Sequence, residues 1–590
     1  MLAWIELALT LLALLLALTY PQLAHGPLSR IEESFRRLAR KPHLAVALVG
    51  LAGIAIRLAV LPLLPIPEPR VTDEYSQLLL ADTFLHARAT NPTPALWPHF
   101  ETFQVVMRPT YASMYPPAQG LVLAAGRLLT HQAFWGVLLS VGAMCAAICW
   151  MLQGWVSLDW ALLGGFLAVT RLAAFSYWAD TYWGAPVAAT GGAFVLGALP
   201  RILGWTPPQN SLAASPSSTA RPTLLALIMA LGLVILANIR PYEGLILSIP
   251  AGIALLIWLL QQAKSGSRSA ITKVLLPMLI ILVLAGALMC FYFWRVTGSR
   301  FEMPQALNRA TYAQAPYFIW QHPNQVAPYR HAIFRDLYVD FEMVVYQQTR
   351  SFRGLFGLWI IRAASLWAFF LAPILTLPIF LALGVPPAKQ AARSSSSRFL
   401  ALTSAFCFLG LFVEVFLAPH YAAPMAALTL LLILLAVRRV HHWRRRNAPT
   451  GIFITRAVVA ICCLMLLIRV FAGPLHIPIE GGLWSWGNAA SAAPSQRKLT
   501  EGKIAAQPGN HLVIVHPDPV HRQKSDLNWV YNAADLDTSR IIWGWDMGAK
   551  ENQELIDAYK SRTVWLLQPD RNDSQQLTIY PGTAASNGAR

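Results

Sequence analysis

The segment LAVALVGLAGIAIRLAVLPLLP, residues 44–65, and the acidic pair Asp73-Glu74 that follows it decide how this chain is interpreted. The segment is long enough to cross a bilayer, which needs roughly 20 predominantly apolar residues. The acidic pair therefore lies at a membrane surface. Carboxylates in such a place are either solvated loop residues or are kept for function. The functional alternative is favoured because other polar residues are predicted at the same surface.

The composition excludes an ordinary soluble enzyme. Of the 590 residues 56% are hydrophobic and 13% are charged, and the mean hydropathy is +0.48. These values indicate a polytopic membrane protein. The net charge is +18, from 46 basic and 28 acidic residues. Many of the basic residues lie in short connections between apolar segments, so they indicate membrane orientation and not nucleic-acid binding.

Apolar runs of spanning length predict an all-α polytopic membrane protein with about 12 transmembrane helices. The shorter stretch 119–130 is predicted to lie at the interface, because about a dozen residues cannot cross. The predicted spans are residues 2–19, 44–65, 133–152, 159–175, 184–200, 222–238, 243–260, 274–294, 356–383, 399–417, 421–437 and 453–472.

Four basic connections predict a single orientation, since Lys and Arg mark cytoplasmic loops. They are residues 30–41, 264–273, 389–398 and 438–446. This orientation places loops 67–132 and 295–355, and everything after residue 473, on the extracytoplasmic side. The predicted location is the cell inner (plasma) membrane, with the acidic pair facing outward.

The outer side collects further polar residues. Arg108 lies in the first loop, and Tyr115-Pro116-Pro117 precedes the interfacial stretch. Proline is tolerated in the first turn of a helix, and a helix N-terminus suits a phosphate group. The prolines are interpreted either as a stiffened start of that helix or as part of a phosphate site.

Two other outer segments leave alternatives open. The connection Arg240-Pro241-Tyr242-Glu243 is interpreted either as a surface Arg-Glu bridge or as a phosphate clamp. The loop 295–355 is unusually long, and loops of this length often cover a functional site. It is therefore predicted to cover one.

The run FLGLFVEVFL places Glu414 among apolar residues. It is predicted to be an intramembrane acid that faces the helix bundle. His420 and Tyr421 follow it at the outer rim.

The C-terminal part of the chain is predicted to be a separate unit. Residues 473–508 are rich in Gly, Ala, Ser and Pro and predict a linker. Residues 509–590 contain three predicted strands and a helix, which indicate a small extracytoplasmic α/β domain. Its predicted elements are strands at 511–515, 540–545 and 563–567 and a helix at 550–561. The domain either caps the site, binds an acceptor or supports packing.

In its order of apolar span, Asp-Glu pair, Tyr-Pro-Pro and a second outer acid, Asp180 in SYWADTYWG, the chain resembles membrane glycosyltransferases of the GT-C fold. More narrowly it is similar to the protein mannosyltransferase and aminoarabinose transferase superfamily and its bacterial RgtA/B/C/D-like relatives. The GT-C-like domain would cover residues 44–472. Residues 1–43, an extra helix and a basic loop, lie outside the usual core.

The resemblance implies a transferase that moves a sugar from a polyprenyl-phosphate donor to an extracytoplasmic glycan, lipid or protein. It makes Asp73 the general base, with Glu74 and Asp180 as further catalytic residues. The three together are a possible ligand set for Mg²⁺ or Mn²⁺. The predicted substrate- and phosphate-binding residues are Arg108, Tyr115, Arg240, Tyr242, Glu243, His420 and Tyr421.

Two other function classes compete with a monomer-sugar transferase. A polysaccharide ligase or polymerase also acts on lipid-linked glycans from outside the membrane. A lipid-linked sugar transporter is disfavoured, because transporters place polar residues near the bilayer midplane and often repeat their halves.

Overall fold

The computed structural model describes residues 1–23, 25–207, 221–384, 394–477, 494–517, 528–571 and 576–581. Ten helices within these ranges are long and apolar enough to cross a bilayer. They are Leu2–Thr19, Pro42–Ala59, Phe134–Leu152, Ala185–Leu203, Pro241–Lys264, Arg268–Thr297, Phe352–Phe370, Ser395–Phe412, Ala423–His441 and Thr450–Val470. The predicted fold class is confirmed: this is a helical integral membrane protein with a small sheet near the C-terminus.

Two predicted spans form helices that are shorter than these ten. The run at 159–175 forms the helix Leu158–Ala168, which continues into a π-helical turn, Val169–Ala173. The run at 222–238 forms the helix Arg221–Ala237. The remaining ten predicted runs correspond to the ten helices of spanning length.

The run at 356–383 is not one helix but two, Phe352–Phe370 and Ala372–Gly384. Ala372 has a positive φ of 49°, and Pro373 follows it. Proline fits the first turn of a helix but disfavours helical geometry in the residue before it. The chain therefore breaks at this point although both halves are apolar.

The first outer loop is itself folded. It contains the helix Thr72–Leu85, a 3₁₀ turn Trp97–Phe100, and a two-stranded ribbon formed by β1 (Val105–Val106) and β2 (Ala112–Ser113). The predicted interfacial stretch forms the helix Pro117–Thr130, whose 14 residues are too few to span.

The helix Pro117–Thr130 packs closely on the transmembrane helix that follows it. A Cβ atom added to Gly126 would lie 2.2 Å from the backbone nitrogen of Gly136. Only glycine fits a backbone approach of this kind.

The loop 295–355 contains the helices Pro304–Tyr312, Ile333–Leu337 and Val344–Gln348 and a π-helical turn, Tyr338–Met343. An ion pair of 2.8 Å between Arg309 and Glu342 joins two of these elements. The Asn308 side chain donates to the Val105 carbonyl at 2.9 Å. The second outer loop is thus packed against the first.

The tail forms a four-stranded sheet of β3 (His511–Val515), β4 (Ile541–Trp545), β5 (Thr563–Leu567) and β6 (Leu577–Ile579). The strand order is β4-β3-β5-β6, and only β6 is antiparallel to its neighbour. The helix Ala549–Ala558 connects β4 to β5. Part of the predicted linker is a helix, Gln496–Ala505, and residues 478–493 lie outside the described residues.

The tail sheet is docked on the first outer loop. The Trp545 indole donates to the Glu101 carbonyl at 2.7 Å, and Tyr75 stacks on Tyr531 with ring centroids 4.7 Å apart. Because Tyr75 belongs to the helix Thr72–Leu85, the tail helps to position the helix that carries Asp73.

Candidate active site

A cavity of about 290 Å³ lies where the two outer loops meet the transmembrane helices. Its apolar walls include Trp183, Tyr242, Phe318 and Phe416. The polar and charged residues that line it include Asp73, Gln77, Tyr115, Arg240, Glu243 and Glu414. A largely apolar cavity with a few converging polar groups is the usual form of a small-molecule site.

Asp73 lies in the first turn of the helix Thr72–Leu85, where a carboxylate is favoured by the helix dipole. It is half-buried. The Tyr115 hydroxyl donates a hydrogen bond to its Oδ1 atom. Burial and the neighbouring Asp73 carboxylate raise the pKa of Tyr115 well above its usual range, so the tyrosine remains a donor. The Oδ2 atom has a long contact of 3.5 Å with the Thr72 hydroxyl, which leaves it available as a base.

Arg240 precedes the helix Pro241–Lys264 and brings a positive charge to the cavity. Its guanidinium carbon lies 4.3 Å from the centre of the Tyr421 ring. Its Nη1 atom is 3.5 Å from Glu243, longer than the roughly 2.7–2.9 Å of a strong charge-assisted hydrogen bond. The Arg-Glu pair therefore exists, but it is loose enough for the guanidinium to bind a phosphate oxygen as well.

The sequence pattern predicts that Glu414 lies within a membrane-spanning helix. In the structure Glu414 lies outside that helix. The helix Ser395–Phe412 ends before it, and Glu414 pairs in an isolated bridge with Phe318 of the loop 295–355. The apolar neighbours that suggested a span pack inside the protein instead, since Val415 is fully buried. Glu414 is 7% exposed and lines the cavity.

Glu74 points away from the cavity and caps the start of its own helix. Its carboxylate accepts hydrogen bonds from the backbone N–H groups of Arg70 at 2.8 Å, Val71 at 3.2 Å and Tyr182 at 3.0 Å. Burial raises the pKa of Glu74 to about 7, although these three hydrogen bonds act in the opposite direction. Glu74 therefore joins the first loop to the segment around Asp180.

Asp180 forms a buried ion pair with Arg57, with 2.7 Å between Nη2 and Oδ1. Arg57 lies in the last turn of the helix Pro42–Ala59, and it also donates to the Leu64 carbonyl at 2.9 Å. Burial raises the pKa of Asp180 to about 6, and the Arg57 charge opposes that rise. The pair fixes the segment SYWADTYWG to the same end of the bundle as Asp73.

The predicted cation site of Asp73, Glu74 and Asp180 is not assembled. Glu74 and Asp180 are held by other partners, and neither lines the cavity. The described residues contain no group of three or more His, Cys, Asp or Glu side chains placed to hold a metal ion. The three acids therefore do not form a common set of metal ligands in this arrangement.

The other predicted binding residues are distributed unevenly. Tyr242 and Tyr421 line the cavity, whereas Arg108 is exposed with its guanidinium carbon 5.2 Å from the centre of the Trp97 ring. His420 is buried behind the cavity wall, and its ring centroid lies 4.5 Å from that of Trp183. Burial lowers the pKa of His420 well below its usual range, so its ring is neutral.

The sequence patterns did not identify three residues that build this site. Gln77 follows Asp73 by one helical turn, a spacing that would have placed both on one face had the loop been recognised as helical. Arg57 lies within the predicted span 44–65, and nothing in the sequence pattern indicates that it pairs with Asp180. Glu414 was placed inside the bilayer.

Stability is expected to fall as the pH rises because of Glu74. A carboxyl whose pKa is about 7 when folded and about 4.5 when unfolded binds its proton more tightly in the folded state. Its contribution is complete below the unfolded value and is lost as the pH rises through about 7. From pH 5 to pH 8 the loss from Glu74 is about 2.5 kcal/mol. Unfolding midpoints measured at both pH values should be closer together in Glu74→Gln than in the wild type, and an unchanged difference would contradict the assignment.

The sequence matches no family model and no curated protein. Solved structures match most of the chain. ArnT from Cupriavidus metallidurans bound to undecaprenyl phosphate has a TM-score of 0.46 and 12% identity, over 88% of this chain and 92% of that protein. The oligosaccharyltransferase AglB from Archaeoglobus fulgidus, in complex with an inhibitory peptide and a dolichol-phosphate, has a TM-score of 0.38 and 11% identity, over 89% of this chain and 69% of that protein. Both are membrane glycosyltransferases of the GT-C fold, the class that the sequence resembles.

Proposed function

We propose that this protein is an integral-membrane glycosyltransferase that moves one sugar from a polyprenyl-phosphate donor to an acceptor on the extracytoplasmic side. The observation that carries the proposal is that Asp73 and Arg240 line one cavity at the end of the helix bundle. A base and a cation are the two groups that such a transfer needs.

Each residue has a defined task in this reaction. Asp73 removes the proton from the acceptor hydroxyl, whose oxygen attacks the anomeric carbon as the bond to the lipid phosphate breaks. Tyr115 holds the carboxylate through Oδ1, so that Oδ2 receives the proton. Arg240 stabilises the negative charge on the departing phosphate, which its guanidinium matches in shape.

Glu74 and Asp180 maintain the shape of the cavity edge and do not take part in the reaction. Both are buried in contacts that hold the first loop and the segment 176–184 at the edge of the cavity. None of the tail residues that the structure describes lines the cavity, so we assign the tail to positioning the helix Thr72–Leu85. The prenyl chain of the donor would lie in the membrane beside the helices.

The proposal is tested by the release of lipid phosphate. The purified full-length protein is incubated with monosaccharides linked to undecaprenyl phosphate, in the presence of membrane extracts that supply acceptors. We expect lipid phosphate to be released and the sugar to appear on an acceptor. No release with any donor of the panel would refute the proposal, and transport of an intact donor across vesicles would favour a transporter.

Arg240 is expected to be more important for turnover than Arg108. Lysine keeps the charge but not the bidentate geometry of arginine. We therefore expect Arg240→Lys to lower kcat by about tenfold, because a single well-placed donor at a developing charge is worth at least that much. Arg108→Lys should leave kcat within about twofold, because Arg108 is exposed and lies outside the cavity lining. The reverse order in steady-state kinetics would identify Arg108 as the phosphate-binding cation.

A further inference from the structure

The cavity contains more hydrogen-bond acceptor atoms than the proposed reaction uses. The Glu414 Oε1 atom and the Gln77 Oε1 atom are buried and have no hydrogen-bond partner within the described part of the chain. Glu414 is 7% exposed and Gln77 is 5% exposed, and both line the cavity. Buried polar atoms without partners are rare, and each one calls for an explanation.

Glu414 is held in place by its backbone. Arg362 donates to the carbonyl oxygens of Glu414, at 2.9 Å, and of Val415. The Val415 N–H donates to the Tyr317 carbonyl at 2.7 Å, which ties the segment to the loop 295–355. The carboxylate is therefore presented to the cavity by a fixed main chain.

Gln77 stands on a different wall. It lies four residues after Asp73 on the helix Thr72–Leu85, so both side chains are on one face of that helix. Hydrogen-bond acceptors thus line the cavity from two elements that are far apart in sequence.

We infer that Glu414 and Gln77 bind hydroxyl groups of the transferred sugar and determine which monosaccharide the site accepts. This inference rests on the proposed function. Orphaned acceptor oxygens need a ligand with hydrogen-bond donors, and the hydroxyl groups of a sugar supply several. A phosphate has no such donors when fully ionised, whereas a guanidinium matches its oxygens, so the phosphate belongs beside Arg240.

The size of the cavity fits one sugar unit. Ligand sites usually measure roughly 300–1,000 Å³, and this cavity, at about 290 Å³, lies just below that range. The donor is therefore expected to carry a monosaccharide and not an oligosaccharide.

The inference is tested by binding of soluble sugar 1-phosphates, which does not require turnover. The 1-phosphates of glucose, galactose, mannose and arabinose are titrated calorimetrically into the full-length protein in detergent. The variants are Glu414→Gln, Glu414→Ala and Gln77→Leu. The control is Glu302→Gln, which removes an acid of the loop 295–355 that does not line the cavity.

We expect the wild type to prefer one sugar of the panel by at least about tenfold, since leaving a buried hydrogen-bond acceptor without its partner costs about that much affinity. Glu414→Ala and Gln77→Leu should weaken binding of that sugar by about tenfold and reduce the preference, and Glu414→Gln should have a smaller effect. The control should bind as the wild type does. Unchanged affinity in the Glu414 variants, or a wild type that binds no member of the panel, would overturn the inference.

The two proposals can fail separately. Release of lipid phosphate without any effect of Glu414 on sugar preference would leave the transferase standing and remove the specificity role. Binding of a sugar phosphate that depends on Glu414, without turnover of any lipid-linked donor, would leave a sugar site in a protein that is not this transferase.

Discussion

Replacing Asp73 with asparagine is expected to lower kcat for sugar transfer by about 10²–10⁴-fold, the usual contribution of a general base. Asparagine keeps the shape of the side chain and can still accept the hydrogen bond from Tyr115, but it cannot take up the acceptor proton. The KM for the donor should change little, because Asp73 acts on the acceptor hydroxyl. The measurement is release of lipid phosphate under saturating donor.

Asp340→Asn is the matched control for this variant. Asp340 also lies on an outer loop, but its side chain is 57% exposed and its contact with Arg335 is long, at 3.8 Å. Exposed pairs of this kind contribute little. We expect its kcat to equal that of the wild type. Equal turnover by Asp73→Asn and the wild type would show that another group is the base.

Asp180→Asn is expected to destabilise the protein by about 3–5 kcal/mol, the usual cost of removing one partner of a buried ion pair. The Arg57 side chain that remains is completely buried. Its charge would then be compensated by carbonyl groups such as that of Leu64 and by the Phe134 ring. The thermal unfolding midpoint in detergent should fall clearly, and turnover should fall with it because the cavity edge loosens.

The double variant Arg57→Met, Asp180→Leu separates a structural from a catalytic role. Apolar residues of similar volume often replace a buried ion pair at little or no cost in stability. We expect the double variant to recover most of the unfolding midpoint and part of the turnover. A double variant that is stable but completely inactive would assign Asp180 to the reaction itself.

The transmembrane helices could be predicted because spanning a bilayer imposes a length and an apolar composition on each one. Three of the four tail strands could be predicted because short apolar runs bounded by polar residues leave few alternatives, whereas β6, with three residues, is too short to give such a run. The break after Leu371 was missed, since hydropathy does not register the geometry that Pro373 imposes on Ala372.

Six of the proposed site residues lie together in the structure. Asp73, Tyr115, Arg240, Tyr242, Glu243 and Tyr421 do line one cavity, because sequence order and sidedness brought them to the same end of the bundle. The contact of Glu74 with Tyr182 and the ion pair of Asp180 could not be predicted from the neighbouring sequence. Arg57 and Asp180 are more than a hundred residues apart, and their contact depends on how the helices pack.

The docking of the tail on the first loop also sets the order in which the site is completed during synthesis. The Tyr531 hydroxyl bonds to the Phe103 carbonyl across 428 residues of chain. At about 5–20 residues per second, the ribosome needs roughly 20–90 seconds to cover that distance. The acid at position 73 is therefore translated early, and the tail contacts that hold its helix form only when nearly all of the chain has been made.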